Sequence, residues 1–142
     1  MGPSSGGRTG ALLALMTLVP ACDRTPDVAE RRRVVAAIDA VRDAPRQDSF
    51  RRRKLLDDLV GQPATVPEAI RARDACGSTY RLLLDGDDIA FALQSALARG
   101  GSPLARSLGG DLREAEDKIT RARAAMPECE LAGDALRHPP RG

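Results

Sequence analysis

Leu108-Gly-Gly-Asp-Leu-Arg-Glu-Ala-Glu-Asp-Lys-Ile-Thr-Arg-Ala-Arg-Ala-Ala-Met126 carries the most regular pattern in the chain. Leu108, Leu112, Ala115, Ile119, Ala122 and Met126 recur at alternating spacings of four and three, which puts them on one inward stripe of a long α-helix. Glu114 with Lys118, and Asp117 with Arg121, stand four apart in the order that favours an exposed helical face. Gly109-Gly110 sets the expected start near Asp111. Pro127 predicts the end at Met126, because the residue before proline is pushed out of helical geometry.

Upstream, Gly100-Gly101-Ser102-Pro103 reads as a connection, with Ser102 able to cap and Pro103 suited to the first helical position. Asp85-Gly86-Asp87-Asp88 reads as the end of one helix and the acidic start of the next, whose stripe is Ile89, Leu93, Ala96 and Leu97. Before it, Thr65-Val66-Pro67-Glu68 has the pattern of a capping box, and Ala69, Ala72, Cys76, Tyr80 and Leu83 share one face. Cys76 is thus expected to face inward from mid-helix, beside Gly77 and Ser78, which are small enough to admit a neighbouring helix. A further helix is expected from Ser49 to Gly61, with Leu55, Leu56, Leu59 and Val60 inward. The first helix should run from Asp27, with Glu30 as its capping partner, to Ala44, burying Val34, Ile38 and Val41 with Val28 and Val35 on the flank. Beyond Pro127, Cys129 falls where the last stripe emerges, and Glu130 to Arg137 allows one short turn.

Hydrophobic residues make up 42% of the chain but aromatic residues only 2%, so the core must be built from Leu, Ala, Val and Ile. Small side chains suit closely packed helices better than a sheet. The expected fold is all-α, a small antiparallel bundle of four to five helices joined by short loops. The formal charge of +2 gives no electrostatic case for nucleic acid.

Ala11 to Cys22 decides the compartment. It is an apolar run behind a polar start whose only cation is Arg8, as in a cleavable export signal, and it is too short for a membrane span of roughly 20 residues. Val19-Pro20-Ala21-Cys22 resembles the lipobox of bacterial lipoproteins. The resemblance covers residues 1–22 and implies removal of residues 1–21, acylation of Cys22 with chains such as palmitate, and a bacterial cell membrane as the destination. Asp23 is similar to the inner-membrane retention residue of enterobacterial lipoproteins, which leans the choice toward the inner membrane while leaving the outer one open. Residues 22–27 then form a polar tether, residues 28–137 the bundle, and residues 138–142 a disordered tail. With Cys22 acylated, Cys76 and Cys129 remain as one even pair in an oxidising compartment, where a disulfide is expected.

The basic runs Arg31, Arg32, Arg33 and Arg51, Arg52, Arg53, Lys54 define a candidate surface for an anionic partner. The second run crowds the first turn of its helix, where the dipole favours anions instead. Asp85 fails as the start of a calcium loop, since the sixth and twelfth positions fall on Ala90 and Ala96 rather than glycine and a carboxylate. No phosphate-cradling glycine motif and no Cys-x-x-Cys is present, and His138 is the only histidine. No metal, no cofactor and no catalytic role is therefore expected. The expected function is a membrane-anchored interaction or structural domain whose partners are membrane lipid, through Cys22, and another envelope protein. The alternatives are a periplasmic carrier with an apolar pocket between helices, and a peripheral binder of anionic headgroups through the two arginine runs.

Overall fold

The computed structural model describes residues 25–100 and 105–139, which form four α-helices. These are α1 (Pro26–Asp43), α2 (Ser49–Val60), α3 (Pro67–Ala98) and α4 (Ala105–Arg137). The leader, Cys22, Asp23, the Ser102-Pro103 cap and residues 140–142 lie outside the described residues.

Local chemistry sets the ends of the first two helices. α1 opens with Pro26, whose missing N–H would be unsatisfied in any case, and it stops at Ala44, which Pro45 holds in an extended conformation. α2 is capped by Asp48, whose Oδ1 accepts the Arg51 N–H at 2.9 Å. At its far end the Gly61 N–H bonds to the Asp57 carbonyl.

Cross-helix contacts fix the topology. Arg52 meets Asp87 near one end of the α2–α3 pair, and Val60 meets Gly77 toward the other, so α2 and α3 are antiparallel. Cys76 joins Cys129 while Gly86 lies against Ala115 and Ile119, so α3 and α4 are antiparallel as well. The core holds Val34, Ile38 and Val41 of α1, Leu56 and Leu59 of α2, Ala69, Ala72, Cys76, Tyr80 and Leu84 of α3, and Cys129, Ala132 and Leu136 of α4. Ala122 is buried between α3 and α4, and past Asp88 the two helices continue as an arm whose seam buries Leu93 and Ala115.

Two expected breaks are absent, which is why four long helices suffice. Gly86 sits inside α3: a Cβ there would stand 2.7 Å from Ile119 Cγ1 and 3.1 Å from the Ala115 carbonyl oxygen. It is the close-approach point of α4, and the need for that contact outweighs the roughly 1 kcal/mol by which glycine disfavours a helix. Pro127 likewise lies within α4, which continues to Arg137 because Cys129, Ala132 and Leu136 anchor the following turns in the core. His138 extends it slightly, its N–H bonding to the Asp134 carbonyl at 2.9 Å.

Three side chains expected to face inward are exposed: Val60 by 40%, Leu97 by 54% and Leu112 by 50%. Leu97 and Leu112 lie on the arm beyond the core, where a single partner helix covers only a narrow stripe of each surface. Val60, in the last turn of α2, leans only an edge on Gly77.

Candidate functional site

Cys76 and Cys129 form a disulfide with their Cα atoms 4.6 Å apart, both buried. It staples the first third of α3 to the part of α4 that follows Pro127, where proline removes a helical hydrogen bond.

The arginine run of α2 meets the acidic cluster of α3. Arg53 Nη2 lies 2.7 Å from Asp85 Oδ1 and 2.7 Å from Asp88 Oδ2, and Arg52 Nη1 lies 3.0 Å from Asp87 Oδ2. Lys118 of α4 adds a longer contact to Asp85 at 3.9 Å. Burial works against the Arg53 charge, yet the hydrogen bonds it donates to Asp88 and Asp85 outweigh it and raise its pKa. The cations at the unfavourable end of the α2 dipole are therefore answered from the neighbouring helix. Of the remaining members of the two basic runs, Arg31 pairs with Glu68 at 3.3 Å and Lys54 with Asp58 at 3.2 Å. Arg32, Arg33 and Arg51 are exposed and have no ion-pair partner among the described residues.

An open groove of about 670 Å³ runs between α1, α3 and α4. Its apolar floor includes Ile38, Val41, Tyr80, Leu83, Ile119 and Met126, and its rim carries Arg42, Arg46, Arg123, Arg137, Glu130 and Asp134. Arg42 is tied to Asp39 and Asp43, and Arg137 to Asp39 and Asp134. Arg46 and Arg123 have no ion-pair partner among the described residues. Burial raises the pKa of Tyr80, with Arg42 opposing the shift.

The chain matches no family of proteins, no curated protein and no solved structure. No described helix is long and apolar enough to cross a membrane.

The chain contains two phenylalanines, and both are exposed: Phe50 by 81% and Phe91 by 70%. Phe50 lies one turn before Arg53 on α2, and Phe91 one turn after Asp88 on α3. Because the helices run antiparallel, positions 50 and 91 both fall about one turn beyond the Arg53–Asp88 bridge, at the same end of the α2–α3 pair. Sequence reasoning passed over this pair and over the groove arginines. A signal existed for the rings, since Phe50 falls off the stripe of Leu56 and Leu59, and Phe91 falls off that of Leu93 and Ala96. For Arg46 and Arg123 there was none, because only the fold brings a loop and the last helix together.

Proposed function

We propose that this protein is an exported, lipid-anchored helical domain that acts by binding another protein of the bacterial envelope and carries out no catalysis. The observation that carries the reading is the exposed pair Phe50 and Phe91. Burying a phenylalanine side chain is worth about 1.5–3 kcal/mol, yet this chain builds its core from leucine, alanine and valine and leaves its two largest apolar side chains in solvent. Rigid aromatic anchors at one end of a fixed helix pair suit a partner surface with an apolar socket. Export is supported by the lipobox resemblance of Val19 to Cys22 and by the Cys76–Cys129 bond, a linkage that persists in oxidising compartments. An anchor at Cys22 would hold the domain close to its partner, so a modest contact suffices.

Photo-crosslinking in living bacteria tests this. A crosslinking residue at position 50 or 91 is expected to capture the same envelope protein, while one at the exposed Thr120 captures none. Phe50→Ser with Phe91→Ser should abolish that capture without lowering Tm. Equal capture from all three positions, or none from 50 and 91, would refute the reading.

A further inference from the structure

The groove between α1, α3 and α4 combines an apolar floor with cations that lack carboxylate partners. Arg46 reaches it from the α1–α2 loop and Arg123 from α4, and neither has an ion-pair partner among the described residues. Arg52, only 6% exposed, forms part of the wall: its Nη1 donates to Asp87 at 3.0 Å, while its buried Nε–H has no acceptor among the described residues. Against these donors stands one rim carboxylate without an ion pair among the described residues, Glu130, since Asp134 is engaged by Arg137. Cations in excess over an apolar floor call for a ligand with a negative head and an apolar tail. The volume of about 670 Å³ lies within the range of small-ligand sites.

We propose that this groove binds a small aliphatic carboxylate, its head held between Arg46 and Arg123 and its tail laid along the half-buried Leu83, Ile119 and Met126. Guanidinium groups donate charge-assisted hydrogen bonds to carboxylates in a planar, directional geometry, so they select the charged head over an alcohol of the same length. The assignment is independent of the phenylalanine surface, which lies at the α2–α3 contact.

Tyr80 supplies the readout, being the only tyrosine in a chain without tryptophan and lining the groove. The full chain, with its disulfide closed, is reconstituted in phosphatidylcholine vesicles and titrated with hexanoate while Tyr80 fluorescence is followed. The expected result is a saturable change with hexanoate and none with 1-hexanol at equal concentrations. Arg46→Gln with Arg123→Gln should weaken the response by about tenfold or more. Both residues are exposed and have no ion-pair partner among the described residues, so this variant should keep the parent circular dichroism and Tm. An equal response to 1-hexanol, a response that survives the double substitution, or no saturable change with hexanoate would overturn the assignment.

Discussion

Glu30 of α1 caps α3 through Val66. Its Oε1 accepts the Val66 N–H at 2.7 Å and the Thr65 N–H at 2.6 Å, and its Oε2 accepts the Thr65 hydroxyl at 2.8 Å. Thr65 thus gives its hydroxyl to Glu30 rather than capping α3 itself, and Glu30 does not cap α1. One carboxylate ties the start of the long helix to the first helix.

The Val66 hydrogen bond, with the two from Thr65, holds the Glu30 pKa below its ordinary 4.5, against the opposing effect of burial. A depressed carboxylate pKa contributes stability that is fully present above the unfolded value and is lost as pH falls through the folded one. Glu30→Gln should lower Tm at neutral pH, and its Tm should fall less steeply than the parent's as pH drops below 4.5. Thermal melts across that range check both. Parallel curves would remove Glu30 from the acid response.

The disulfide closes a separation of 53 residues, worth about 4 kcal/mol by the chain-entropy argument. Cys76→Ala with Cys129→Ala should lose stability of that order in denaturant unfolding. Reduction of the parent chain should shift its midpoint to that of the double variant.

Gly86 and Gly110 should respond to alanine in opposite directions. At Gly86 the new Cβ meets Ile119 and the Ala115 carbonyl, and overpacking should cost about 1–3 kcal/mol. At Gly110 nothing lies within 4 Å, so Gly110→Ala should stabilise α4 by about 0.5–1 kcal/mol. Chemical denaturation of the two variants side by side tests the pair.

Arg52 separates packing from charge. Arg52→Ala removes a buried stem and should cost about 1–3 kcal/mol. Arg52→Met keeps the volume and removes the unaccepted Nε–H, while Asp87, 42% exposed, returns to water. That variant should stay within about 1 kcal/mol of the parent.

Much of the bundle is legible in the sequence wherever one stripe faces one core. Val34, Ile38 and Val41, then Ala69, Ala72, Cys76 and Tyr80, are buried where their spacing puts them, and Cys129 emerges inward opposite Cys76. The misreadings arose where a distant segment overrides a local preference. Gly86 resembles a break until α4 is seen against it, and Pro127 resembles a stop until the buried turns after it are counted. Leu112 keeps the helical rhythm, yet among the described residues no third helix covers it. The Arg53–Asp88 bridge joins two runs that were legible separately, and their pairing depends on the α2–α3 register, which neither run encodes alone.

Export and acylation at Cys22 are the proposed state of a chain closed by the bond between Cys76 and Cys129. Intact mass of the protein extracted from bacterial membranes, measured with and without reduction before alkylation, tests all three parts together. The account predicts a species lacking residues 1–21 and carrying acyl chains, which takes up alkyl groups at two thiols only after reduction. A species that begins at Met1 or Gly2, carries no lipid and alkylates at Cys22, Cys76 and Cys129 without reduction would contradict it.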